Sequence, residues 1–318
     1  MITSMTPQFT AYHPDSVADM AASVELLNRL KPHRASTVEE TRGRLAQETR
    51  FQLYLARTDT GDVAATLELA TSDLDLEPML WLAALVNPDA AAPQQLLEQV
   101  ATIARSWAPN EASGATRPVV VENDADQLAW WTAQGFVESE RLLQVELDLT
   151  PATLPAACDR TDLRIVTIAE RPDLLEVAYR LYREGKADAP GDGAFDQPTF
   201  DRWRSDNVTL GLQSEHELVL LRSSSDHAAE IPVGYASLIA RKARPGVIRH
   251  GLTTIAREAR GERLACEFKS LLLHRAYELG FTRIGTSNEV TNIPMRRVND
   301  AMGFEPMPAM LILRGKLT

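Results

Sequence analysis

The chain has 318 residues, 44% hydrophobic and 24% charged, with a formal net charge of −11, which suits two ordinary domains with a core each. That charge repels phosphate backbones, so nucleic acid is not an expected partner, and a cationic small molecule or basic peptide fits better. The N-terminal residues join no basic segment to an apolar run, and no apolar stretch approaches the ~20 residues that cross a bilayer, so a cytoplasmic protein without membrane contact is expected.

Hydrophobic periodicity predicts helices near 15–31 and 37–48, then strands over 51–58, 62–71 and 79–86. A helix near 92–107, a strand over 117–123, a helix near 125–134 and a strand over 136–149 follow. The next stretch holds two prolines and no periodicity, and reads as a linker at 151–160 between domains 1–150 and 161–318. Beyond it come a strand at 163–168, helices near 172–184 and 197–206, and strands at 209–213, 218–223, 232–240 and 246–255. A helix, a strand, a helix and a last strand complete the order. Residues 185–197, Gly-rich and acidic, and 223–232 read as loops; the first either orders over a substrate or is a plain solvated loop.

The two halves repeat each other. Val86 and Ile255 end apolar strands 169 residues apart, and Gly135-Phe136 and Gly303-Phe304 precede strands 168 apart. Nearly equal offsets of unlike landmarks indicate a duplicated domain. The expected fold class is α/β, of the α+β mixed-sheet kind: two tandem copies, each a largely antiparallel mixed sheet flanked by helices.

Chemistry concentrates in residues 250–304. The turn Arg260-Gly261-Glu262-Arg263-Leu264-Ala265 hands a strand to a helix, where unpaired N–H groups and the positive end of the helix dipole would meet an anion, most naturally a pyrophosphate. Gly261 permits close approach of backbone to ligand, Leu264, Phe268, Leu271 or Leu272, and Leu279 form the apolar face, and Gly280 stops the helix. Taken alone, this is also the pattern of an ordinary capped helix. Cys158 and Cys266 suggest no disulfide or thiolate site, and the six histidines show no ligand spacing, so no metal is expected.

Three motifs in order do more. Thr253-x-Ile255, then Arg260-Gly261-x-x-Leu264-Ala265, then Thr286-x-Asn288-x-x-x-Asn292-x-x-Met295-x-x-x-Asn299-x-x-x-Gly303-Phe304 together resemble the GNAT superfamily of N-acetyltransferases. The resemblance implies acetyl-CoA as co-substrate, held by Thr253, Thr254, Ile255, the turn Arg260, Gly261, Glu262, Arg263, Leu264 and Ala265, and by Asn288 and Asn292. It implies a backbone oxyanion donor near Ile255 and an acceptor cleft beside the C-terminal strand. Asn292 also reads as a helix N-cap, and the two roles are compatible. Arg263 departs from the glycine usual in the family. Asn299 stands where many members carry a tyrosine that protonates the departing thiolate; an amide hydrogen-bonds but supplies no proton.

A protonated amine needs a base, and His250 is the leading candidate, set against the plain reading of an exposed histidine at a strand's start. Glu184, Asp188, Asp192 and Glu289 are acidic alternatives. Cys266 reads as packing, and Lys269 either reaches a CoA phosphate or faces solvent. In the first copy Ala91 and Ala92 replace Arg-Gly, Pro93 removes an N–H, and Trp131 matches Asn299, so this copy is expected to bind CoA poorly. The implied reaction is direct acetyl transfer to a small-molecule or peptide primary amine by the second copy, with oligomeric state open. A catalytically silent CoA-binding or interaction protein is the main alternative, and a pair of α/β domains for another phosphate ligand is a third, disfavoured by the lack of glycine-rich nucleotide motifs.

Overall fold

The computed structural model describes residues 6–72, 74–75, 79–107, 115–190, 197–209, 213–223 and 229–317. In chain order the elements are β1 (Phe9–Tyr12), α1 (Val17–Leu30), α2 (Val38–Leu45), β2 (Arg50–Arg57), β3 (Val63–Thr71), β4 (Met79–Val86), α3 (Pro93–Trp107), β5 (Ala115–Val121), α4 (Ala125–Ala133) and β6 (Val137–Asp148). Then follow β7 (Leu163–Thr167), α5 (Leu175–Asp188), α6 (Phe200–Thr209), β8 (Glu217–Ser223), β9 (Glu230–Ala240), β10 (Val247–Ile255), α7 (Leu264–Glu278), β11 (Arg283–Glu289), α8 (Ile293–Ala301) and β12 (Glu305–Arg314).

The chain divides into two compact units, but not at the expected linker. One unit holds the residues up to Leu142 and those from Pro308 on; the other holds most of Leu143–Met307. The first has strand order β1-β2-β3-β4-β5-β12, with β4 and β5 parallel and the remaining pairs antiparallel. The second has the order β6-β11-β10-β9-β8-β7, with β10 and β11 parallel and β7 to β10 antiparallel. Domain limits of 1–150 and 161–318 therefore differ from the observed units at both ends. The cause is edge pairing: β12 covers the open edge of β5 through Met310↔Val121, Leu311↔Val120 and Ile312↔Val119, while the end of β6 lies beside β11. Residues 151–160 are docked rather than free, since Ser270 Oγ donates to Ala156 O at 3.1 Å, His274 Nε2 meets Pro155 O at 3.0 Å, and Leu154 and Cys158 pack on the second core.

Other expectations shift locally. β1 has only four residues, too short for its alternation to stand out in the sequence. Of the strand expected at 209–213, Thr209 closes α6, and 210–212 lie outside the described residues. Helix α5 runs on to Asp188, into the first expected loop, of which 191–196 lie outside the described residues; of the second, 224–228 do.

The repeat is present at the level of register. Met79↔Ala115, Leu80↔Thr116 and Trp81↔Arg117 recur 168 residues later as Val247↔Arg283, Ile248↔Ile284 and Arg249↔Gly285. Asp124 and Asn292 cap α4 and α8 in the same way, accepting from Gln127 N and Met295 N, and Gly135 (φ 84) and Gly303 (φ 78) end those helices. One difference matters. β10 carries a bulge between His250 and Thr253 where β4 keeps regular pairing with β3.

In the second unit a single core joins α5, α6 and α7 to the sheet, through residues such as Leu181, Trp203, Tyr235, Leu238, Ile248, Phe268 and Leu272. Each such side chain contributes about 1.5–3 kcal/mol by leaving water. Helix α5 comes so close to β10 that a Cβ on Gly185 would lie 2.6 Å from Thr254 Cβ. Gly185→Ala should push α5 off the strand and lower the stability of the second unit by about 1–3 kcal/mol, read as a lower urea midpoint.

Candidate functional site

The site grows from the parting of β10 and β11. The two strands pair only from Val247↔Arg283 to Arg249↔Gly285, after which β10 stays with β9 alone. Ala256 N donates to Val233 O at 2.9 Å, which fixes the alternation: Thr254 and Ala256 bond toward β9, so the main-chain groups of Thr253 and Ile255 face the side that β11 has left. Gly251 belongs to the bulge, and a Cβ there would meet Ser237 Oγ at 2.3 Å.

At the end of β10 the backbone enters the predicted turn. Gly261 has φ 88 and Arg263 φ 61. Glycine would hold the Arg263 conformation without strain, whereas a side chain in the left-handed region costs roughly 1–2 kcal/mol. The N–H groups of Gly261, Glu262, Arg263, Leu264 and Ala265 have no acceptor among the described residues, whereas Cys266 and Glu267 already donate to Arg263 O. Five successive donors at the start of a 15-residue helix form a ready anion cradle. The exposed Arg263 guanidinium has no partner among the described residues, and Glu262 is held by Arg222 at 2.8 Å.

Arg260 is engaged within the protein. Its Nε donates to Ile255 O at 2.9 Å, and its Nη2 lies 2.7 Å from Asp188 and 3.3 Å from Glu184, so the side chain ties α5 to the turn. Arg257 joins the same carboxylates, its N–H donating to Glu184 at 2.6 Å and its guanidinium pairing with Asp188. Hydrogen bonds from Arg257 and Arg260 hold Asp188 down to about 2. Glu184 and Asp188 are therefore engaged acceptors rather than free bases. Glu289 accepts from Thr291 N at 2.5 Å and from its hydroxyl, and Asp192 lies outside the described residues.

The interior side of the opening holds a polar cluster. His250 is 3% exposed, not at the surface; its Nε2 is bonded to Thr253 Oγ1, and its Nδ1 is buried without a partner. Burial, reinforced by the charges of Lys269 and Arg249, holds His250 well below its ordinary range, so it stands as neutral imidazole. Thr254 is buried under α5, and Thr286 Oγ1 donates to His250 O at 3.2 Å.

Lys269 is neither solvent-facing nor placed at the exposed turn: it is 1% exposed. Its Nζ donates to Asn299 Oδ1 and lies 4.6 Å from the Phe304 ring centre, while Asn299 Nδ2 donates to Asn288 Oδ1 at 2.6 Å. An ammonium can only donate, so it fixes both amides: Asn299 turns its oxygen to Lys269 and its nitrogen to Asn288, and Asn288 keeps its own NH₂ as the free end. The sequence held the signal for this lysine, since Ala265, Leu272, Leu273 and Ala276 at i−4, i+3, i+4 and i+7 surround it. Conversely Leu279, counted in the buried face, is 38% exposed. Asn292 is an N-cap, accepting from Met295 N at 3.3 Å, and Cys266 is partly buried in α7.

The first unit has the same frame with its opening filled. Gln127 of α4 is 3% exposed and donates from Nε2 to Ala84 O of β4 at 3.3 Å. Trp131, fully buried, occupies the place of Asn299 and packs on Phe136 at 4.8 Å. Ala92 repeats the left-handed residue before the helix (φ 55), but Pro93 follows it.

Burial lowers Lys269 from 10.5 to about 7. The unfolded chain therefore binds the extra proton between about pH 7 and 10, and the stability of the second unit should rise with pH across that window, by at most about 1.4 kcal/mol per pH unit from this group. Urea midpoints at pH 7 and 9 check this; Lys269→Met should remove that part of the rise.

No protein-family model matches the chain, and no curated protein does. Solved structures do. A GCN5-related N-acetyltransferase from Sphaerobacter thermophilus is 17% identical with a TM-score of 0.74, over 98% of this chain and 96% of its own. A tandem GNAT protein from the clavulanic acid biosynthesis pathway is 20% identical with a TM-score of 0.72, over 98% and 99%. Saccharomyces cerevisiae N-myristoyltransferase, solved with myristoyl-CoA, is 11% identical with a TM-score of 0.62, over 99% and 83%. The chain has the tandem fold of the GCN5-related N-acetyltransferases along its whole length.

Proposed function

We propose that the protein is an acyltransferase that moves an acetyl group from acetyl-CoA to a primary amine, with its active site in the second unit. The observation that carries this reading is the opening between β10 and β11 leading directly into five unengaged N–H groups at the start of α7. The pyrophosphate is held by that turn, and the pantetheine arm runs along the free main-chain edge of Thr253 to Ile255. Asn288 and Asn292 flank the arm from β11 and α8.

In the reaction the acceptor's ammonium loses one proton, its nitrogen attacks the thioester carbonyl carbon, and the C–S bond breaks as the C–N bond is retained. The Ile255 N–H stabilises the oxyanion. A second proton leaves the nitrogen, and the CoA thiolate, with an intrinsic pKa near roughly 8.5, takes one from water. Proximity supplies the larger share of the acceleration. His250 is shielded from solvent, so solvent water serves as base on this reading, with His250 and Asn299 shaping the pocket.

Calorimetric titration with acetyl-CoA tests the reading. One site per chain is expected, weakened at least about tenfold by Gly261→Val, whose side chain is strained at φ 88 and crowds the cradle. Absence of binding at several temperatures overturns it. A bound cofactor with no transfer to any amine in a broad panel would instead establish a silent CoA-binding protein, the alternative that the missing tyrosine favours.

A further inference from the structure

The face of the sheet opposite α7 carries a charged cluster that cofactor binding leaves unused. Strand alternation puts Arg249, Gly285 and Ser287 on that face, and the bulge after His250 returns Thr254 to it, under Gly185 of α5. Arg249 stands at the last β10/β11 pair and is partly buried. Its Nη2 donates to Ser287 Oγ at 2.6 Å, two residues further along β11, so the guanidinium extends in the direction in which the strands part.

That bond is the one Arg249 makes among the described residues. Its charge is poorly balanced: burial and the nearby Arg241 and Arg244 disfavour the cation, and Glu146 alone opposes them. Glu146 is already engaged, accepting from Arg244 at 2.7 and 3.3 Å and lying 3.7 Å from Arg283. Arg241 has no partner among the described residues. A guanidinium offers five donors in a planar fork, and most of this fork is unused.

Resting on the acyl-transfer reading, we propose that Arg249 is the centre of an anion subsite on the acceptor side of the opening, and that the amine acylated here also carries a carboxylate or phosphate group. The α7 face leads to the cofactor cradle, so the nucleophile must arrive from the other face, where Arg249 lies. An anion bound in its fork fixes the acceptor beside the opening and leaves the amine free to turn toward the thioester, the arrangement that raises effective concentration. In a chain of net charge −11, a zwitterionic acceptor meets attraction at both ends.

The test uses matched acceptors that differ only in the anion: alanine against alaninamide, and phosphoethanolamine against ethanolamine, with thiol release from acetyl-CoA as readout for wild type, Arg249→Gln and Arg249→Lys. The anionic member should be preferred by about tenfold or more in kcat/KM, and Arg249→Gln should bring the ratio near one through KM, with partial recovery in Arg249→Lys. The pair that shows the preference separates carboxylate from phosphate. Equal use of both members, preference for the neutral one, or a preference unchanged in Arg249→Gln overturns the proposal. If none of the four amines is acylated, NMR titration of the acetyl-CoA-saturated protein with succinate and inorganic phosphate decides: saturable binding weakened about tenfold in Arg249→Gln upholds it, and its absence overturns it. The acetyl-CoA titration on wild type judges the cofactor reading separately.

Discussion

Parallel pairing between β10 and β11 that stops after three residue pairs is the constraint on which the site depends. A continuous ladder would consume every main-chain group of β10, and nothing would remain for a ligand. Because β11 leaves, one edge of β10 keeps its donors and acceptors unspent while β9 still anchors the other edge. Unpaired backbone inside a fold is stable only where something polar, water or a ligand, can reach it. The bulge at Gly251 and Leu252 reinforces the divergence by bending β10 at the point of parting. The close contact of Gly185 with Thr254 then holds the bent strand against α5.

The first unit shows what happens when the same opening is satisfied internally. Its β4 and β5 pair one residue further, to Leu82↔Pro118, Gln127 supplies an amide donor to Ala84 O beyond that point, and Trp131 and Phe136 fill the adjoining space. Where the second unit has Asn288, Asn299 and Lys269, the first has Val120, Trp131 and Ala101, all three apolar and buried. The left-handed residue before the helix survives as Ala92, so the turn kept its conformation after Pro93 removed one of its donors. Conformation and binding capacity have separated: the backbone path serves the fold in both units, and the open donors persist in one.

Features governed by local chemistry were legible in the sequence. Gly261, Gly280 and Gly303 all take positive φ, Asn292 caps α8, and the nearly equal offsets of Val86/Ile255 and Gly135/Gly303 accompany strand pairs that recur 168 residues apart. Features governed by partner choice were not. Nothing near Arg260 announces that Glu184 and Asp188, more than 70 residues away, will claim its guanidinium. The depth of His250 depends on α7 lying over it, and the membership of β12 depends on which sheet edge remained free. Lys269 lies between these cases: its apolar neighbours on the helix point inward, but the amide that makes burial tolerable comes from α8, 30 residues on.

That amide pair explains why a charge is kept where a leucine would pack. A buried ammonium is disfavoured by several kcal/mol unless its protons are received, and its pull to about 7 shows that the compensation is incomplete. An apolar side chain at 269 would leave Asn299 free to turn either way, and with it Asn288. The ammonium removes that freedom, because a group that only donates admits a single orientation of every amide downstream. The stability lost by burying Lys269 is thereby exchanged for a donor of fixed direction on Asn288, on the strand that borders the opening. On the proposed acyl-transfer reading, asparagine in place of a proton-donating tyrosine fits a site organised around directed hydrogen bonds, with proton movements left to water.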